Sequence, residues 1–139
     1  MAAIGTRKLT VEIDGVPYTS EVSVCEITSA ATSSDFVPFS AAAAGGGRDY
    51  GLHIVAAQDA ASASFWDIVW SQAGTDVPFT ITPYGNATAS TSEPHFEGVA
   101  TVTEPDGVLL GGTANASNTS RFTIDVTWPC LAKPTKVTV

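Results

Sequence analysis

The chain is poor in bases. Six of its 139 residues are Lys or Arg, against 14 Asp or Glu, which gives a formal net charge of −8. Arg7, Lys8, Arg121, Lys133 and Lys136 lie near the ends, and between Leu9 and Ser120 the only base is Arg48. A surface that grips phosphates needs clustered bases, so direct nucleic-acid binding is not expected. The acid excess has two readings: it keeps the chain in solution, or it makes a surface to which nucleic acid does not stick.

Cysteine and histidine are also scarce. Cys25, Cys130, His53 and His95 make no metal-ligand spacing, so neither a metal nor a cofactor is expected. Reduced thiols are the expectation for a cytoplasmic chain. No run approaches the roughly 18 apolar residues of a membrane span. Met1 to Lys8 holds two bases with no apolar stretch behind them, so a signal peptide is not expected and the chain should stay in the cytoplasm where it is made. The sequons at Asn86, Asn115 and Asn118 are then chance matches in polar loops.

Catalytic motifs are missing too. Gly45-Gly46-Gly47 lacks the Lys and Ser/Thr of a P-loop, and there is no Gly-x-Ser-x-Gly elbow. Asp106 reads as a turn residue, and His53 and His95 read as surface or interface residues. The chain is not expected to be an enzyme.

What is present is β-forming sequence. Apolar residues make up 44% of the chain, which excludes a disordered protein, and the length suits one domain, 1–139, with one core. Leu9, Val11 and Ile13 alternate with polar residues as in a half-buried strand. Asp14-Gly15 is a hairpin signal, and the chain is expected to return as a second strand from Tyr18 to Ile27, with Pro17 marking an edge or bulge. Alternation predicts further strands over Arg48–Gln58, Asp76–Thr82, Phe96–Val102 and Phe122–Trp128, and more weakly over Lys136–Val139. Gly98 reads as a bulge or a close backbone approach.

Two segments break the pattern. In the first, 28–47, Phe36, Val37 and Phe39 are followed by runs of alanine and glycine. A loop of about twenty residues is unusual in a compact domain. It is either an extended hairpin whose apolar tip, with Arg48 at its base, reaches a partner subunit, or a cover folded over its own core. The second is a helix of about fourteen residues, with Asp59 as N-cap and Gly74 at the C-terminus. Its apolar residues Phe65, Trp66, Ile68, Val69, Trp70 and Ala73 cover an arc of roughly 200°. They meet either a deep groove on the sheet or, in part, a neighbouring subunit. The fold expected is an antiparallel β-sandwich or small barrel with one helix packed on it.

Trp66-Asp67-Ile68-Val69-Trp70, Val77-Pro78-Phe79-Thr80-Ile81-Thr82-Pro83-Tyr84-Gly85-Asn86 and Phe122-Thr123-Ile124-Asp125-Val126-Thr127-Trp128, in this order behind a hairpin and a long loop, resemble major tail (tail tube) proteins of long-tailed bacterial viruses infecting actinobacteria. The resemblance covers nearly the whole chain. It implies a virion protein, assembled in the host cytoplasm, in which six copies form a ring. Stacked rings make a hollow tube that conducts DNA without specific binding, alongside other tail proteins. It also implies that 28–47 and 131–139 bridge neighbours. A lumen poor in bases fits that role, with Glu12, Asp14, Glu97 and Asp125 as candidate lumen carboxylates. Two other classes stay open: another virion component, such as a tail terminator or capsid decoration protein, and a carbohydrate-binding or adhesin module stacking sugars on Trp66, Trp70, Tyr84 and Trp128.

Overall fold

The computed structural model describes residues 3–32, 36–45 and 47–139. Alternating apolar residues give β1 (Thr10–Ile13), β3 (Val22–Ala31), β4 (Arg48–Ala57), β5 (Asp76–Thr82), β6 (His95–Thr101) and β7 (Thr123–Pro129). Two short strands, β2 (Val16–Pro17) and β8 (Thr135–Val137), lie at the two edges of one sheet. The order is β2-β1-β5-β6-β8 in a five-stranded sheet and β3-β4-β7 in a three-stranded one, with all pairs antiparallel.

The inward residues of both sheets form one cluster. Val11, Ile13, Val77, Phe79, Ile81 and Ala100 come from the larger sheet; Leu52, Ile54, Ala56, Ile124, Val126 and Trp128 come from the smaller. The fold is therefore a β-sandwich and not a closed barrel. The sheets meet along one seam, where Cys130 bridges Ala100 and the Leu131 N–H donates to the Val99 carbonyl at 3.0 Å.

The first hairpin turns where expected. Asp14 and Gly15 both have positive φ, 53° and 77°, which lets a two-residue turn follow the strand twist. The return is not a single strand, however. Pro17 has no N–H to continue the ladder, so β2 stops there. A turn closed by the Glu21 N–H on the Tyr18 carbonyl then carries the chain to the other sheet. Tyr18 is buried between the two strands, and β3 starts only at Val22.

The central helix, α2 in chain order, spans Phe65–Ser71, about half the expected length. Its N-cap is Ser64, not Asp59: Ser64 Oγ accepts from the Asp67 N–H at 3.1 Å and donates to the Asp59 carbonyl. Asp59 instead closes a tight local turn by accepting from the Ala61 N–H at 3.0 Å. Hydroxyl and carboxylate side chains near the backbone offer it this alternative to helix, and Ala63 is left at a φ of 67°. Gly74 is not the C-cap: the helix ends at Ser71 with Gln72 as cap, and Gly74, at a φ of 92°, turns the chain in the following 72–75 turn, which the Thr75 N–H closes on the Gln72 carbonyl at 3.0 Å.

The sandwich itself covers most of the helix's apolar arc. Phe65, Trp66, Ile68 and Val69 are buried. The Phe65 ring stacks on Trp128 at 5.2 Å and meets Tyr18 edge-on at 6.1 Å. The Trp66 indole N–H donates to the Leu109 carbonyl at 2.7 Å. Ala73 and Trp70 stay outside; Trp70 is 55% exposed and stacks on Trp66 one turn earlier.

Candidate assembly surface

β3 and β4 pair without a gap from Val24↔Val55 to Ala31↔Arg48, and so run on past the core. From Glu26 onward every residue of β3 is exposed. The two strands leave the sandwich as a ribbon, which extends roughly 13 Å over the four residues from Ile27 to Ala31 at about 3.3 Å each. Polar contacts along it replace apolar burial. Thr28 Oγ1 donates to the Gly51 carbonyl at 3.3 Å, and Thr32 Oγ1 donates to Asp49 Oδ1 at 3.2 Å. The Arg48 guanidinium donates to Ser29 Oγ through two nitrogens, at 3.1 and 2.9 Å. Arg48 thus braces the ribbon from within, beside the loop. Gly51 allows the strands to close, because a Cβ there would lie 2.8 Å from Thr28 Oγ1.

Segment 28–47 is accordingly an extended hairpin. Its first residues complete β3, and its tip carries a short helix that the sequence reading did not foresee, α1 (Phe39–Ala43), none of it buried. Pro38 sits before the first turn with a fixed φ, and the alanines that follow are the strongest helix formers. Ser33, Ser34, Asp35 and Gly46 lie outside the described residues. Val37 is 53% exposed, Phe36 78% and Phe39 96%, so the tip does not cover its own core.

β3 also forms one edge of its sheet. Among the described residues it pairs with β4 alone, which leaves its other side without a strand partner and exposed from Glu26 to Ala31. Long open edges recruit further strands.

No model of a known protein family matches the chain, and no curated protein matches its sequence.

The four carboxylates expected to share a lumen fall on two sheets. Glu12 pairs with Thr80, which pairs with Glu97, so the two acids flank Thr80 in one row across the larger sheet. Asp14 follows in the adjoining turn, and its N–H donates to the Pro78 carbonyl at 2.8 Å. Asp125 stands apart, on the exposed face of β7 in the smaller sheet. There it joins a cluster that the sequence reading missed, with His53 of β4 between Asp125 and Glu26 of β3. Hydrogen bonds to Glu26 and then to Asp125 raise the imidazole pKa, against a smaller opposing effect of burial. The cross-strand register Glu26↔His53 was the missing signal, and it requires knowing that β3 and β4 pair.

The terminal segment 131–139 does not hang free. Its β8 pairs with β6 of its own sheet through His95↔Val137 and Glu97↔Thr135. Gly98 is a close approach and not a bulge, since a Cβ there would lie 2.7 Å from the Phe79 ring. Both cysteines are free thiols; burial pushes Cys25 up to about 12, with a further push from Glu26, and burial raises Cys130. Among the described residues no helix is long and apolar enough to cross a membrane, and no group of three or more His, Cys, Asp or Glu could hold a metal ion.

Proposed function

We propose that this chain is a structural subunit of a viral tail tube, whose copies close into rings that stack around a channel for DNA. The observation that carries the reading is the ribbon formed by β3 and β4. One protomer displays an unpaired strand edge, exposed from Glu26 to Ala31, that leads to an apolar tip, with Phe39 almost wholly in water. A contiguous apolar feature of this kind marks an interaction site, and an open edge marks a place for another strand. A ring of copies answers both without leaving an edge behind.

The charge distribution supports the same reading. The row Glu12–Thr80–Glu97 gives the larger sheet an acidic outer stripe, and no base lies between Leu9 and Arg48 or between Arg48 and Arg121. A wall of this kind would let a polyanion pass without holding it. Of the rings the sugar-binding alternative would use, Trp66 and Trp128 are buried, Tyr84 is half-buried, and the exposed Trp70 has one face stacked on Trp66.

The test is to concentrate the purified chain and image it by negative stain. Rings or tubes of uniform diameter are expected. A protein that stays monomeric at millimolar concentration by sedimentation would sink the proposal.

A further inference from the structure

At the root of the ribbon the inner faces of the two sheets are not fully closed on each other. Ile27 pairs with the buried Leu52, and Tyr50 lies two residues before Leu52 on the same face of β4. On the larger sheet Phe96 pairs with the buried Ile81 and, on its other side, with Lys136 of β8. Directly paired residues share a face, so Lys136 belongs to the inner face of this edge strand. Together with Lys133 and Pro134, these residues surround a cleft of about 390 Å³, a size typical of small-molecule sites. Ile27 remains 38% exposed in its wall. Gly98 brings Pro134 close, since a Cβ there would lie 3.4 Å from Pro134 and clash with Phe79. None of the 14 carboxylates lines the cleft. Among the described residues neither lysine has an ion-pair or hydrogen-bond partner.

We propose that this cleft binds a small carboxylate with an apolar tail, of the fatty-acid type. The tail lies among Ile27, Tyr50, Phe96 and Pro134, and the carboxylate meets Lys133 and Lys136 at the rim. Three features select this occupant. The wall is apolar and only partly covered, so an apolar tail removes both surfaces from water. The rim gathers two of the six bases of an acidic chain, both unpaired and with no carboxylate to neutralise them, which suits an anionic head. The third feature is width. Stacked sheets lie about 10 Å apart, and an α-helix with its side chains is about as wide, so the space between the layers takes an extended tail and not a helix. A charged residue facing inward on an edge strand also discourages edge-to-edge pairing. That role accounts for Lys136, but not for Lys133, which precedes the strand, nor for the apolar cleft behind them. The inference concerns a single protomer and does not rest on the tube reading.

The test titrates the full chain with decanoate, below the concentration at which decanoate forms micelles and at which the chain self-associates. Calorimetry reads affinity, and amide shifts in nuclear magnetic resonance read location. Decanoate is expected to bind saturably at one site, with the largest shifts at Ile27, Tyr50, Phe96 and residues 133–136. The Lys133→Gln/Lys136→Gln double variant keeps the length of both side chains and removes their charge. It is expected to weaken decanoate about tenfold, as for the loss of two exposed charge contacts, and to leave the binding of uncharged decanol unchanged. Ile27→Asp places a like charge in the wall and is expected to weaken decanoate at least as much. Circular dichroism checks that both variants fold. The wild-type shift map and a decylammonium titration need no variant, and decylammonium is expected to bind more weakly than decanoate. No saturable binding, shifts centred elsewhere, or decylammonium bound as well as decanoate would overturn the proposal. Unchanged decanoate binding by the folded double variant would also overturn it, and would leave the lysines as guards of the sheet edge. None of these outcomes bears on whether the chain forms rings.

Discussion

Nε2 of His53 on β4 lies 2.7 Å from Oδ1 of Asp125 on β7. Nδ1 of the same ring lies 2.6 Å from Oε1 of Glu26 on β3. A neutral imidazole donates from one nitrogen only, so both carboxylates are satisfied only by the imidazolium. One charged ring then ties all three strands of the smaller sheet together at the root of the ribbon. The pairing raises the imidazole pKa in the folded chain. Its contribution is therefore complete below the ordinary value of 6.5, and is lost as pH rises through the higher folded value. Replacing His53 with Gln should cost more stability at pH 5.5 than at pH 8.5, measured by urea unfolding. The difference should stay within about 1 kcal/mol, as for other exposed ion pairs. An equal cost at both pH values would show that the link does not depend on the proton.

Gly51 predicts a second outcome. A methyl group there meets Thr28 Oγ1 at 2.8 Å and Thr127 Cγ2 at 3.1 Å. Gly51→Ala should destabilise the chain by about 1–3 kcal/mol, the usual cost of overpacking. Combining it with Thr28→Ala should return part of that loss in thermal unfolding.

Gln58 anchors the loop after β6. Its amide donates to the Gly111 and Thr123 carbonyls at 3.0 and 2.9 Å, and its oxygen accepts from the Gly111 N–H at 2.7 Å. Gln58→Leu removes these part-buried and exposed hydrogen bonds and should cost about 0.5–1.5 kcal/mol. Hydrogen exchange at Gly111 should accelerate more than exchange in β5, which Gln58 does not touch.

Two aromatics separate the core from the hairpin tip. Phe65 is buried, stacked on Trp128 and edge-on to Tyr18, so Phe65→Ala should cost about 3–5 kcal/mol in chemical denaturation. Phe39→Ser should stay within about 0.5 kcal/mol, because it removes no contact with the core. If Phe39→Ser destabilised the isolated chain as much as Phe65→Ala, the tip would belong to the core after all.

The thiols give a chemical check. With Cys25 pushed up to about 12, its thiolate is negligible near neutrality. Alkylation at pH 8 should be slow in the folded chain and fast in denaturant. Rapid labelling of Cys25 in the native state would contradict its burial.

The strands were legible because their inward residues repeat every second position. Val77, Phe79 and Ile81 placed β5 to the residue, and Ile124, Val126 and Trp128 placed β7 within one. The breaks were less legible. Pro17 marked an edge, but no local pattern says that the chain changes sheets after it. The helix start was misread because Asp59 and Ser64 are both good caps, and their contacts decide between them. Within the candidate surface, the exposed tip followed from apolar residues in a glycine- and alanine-rich loop. The Glu26–His53–Asp125 cluster and the cleft beneath the ribbon arise from register and sheet packing, which link residues up to 109 positions apart, from Ile27 to Lys136.

The bracing of the ribbon by its own threonines, Ser29 and Arg48 means that its shape does not depend on what lies at its end. The hairpin terminus can therefore be lengthened, shortened or exchanged for a foreign peptide while the sandwich folds as before. Such chimeras would leave the architecture of the sandwich untouched, which makes the terminus the natural place to engineer a new contact.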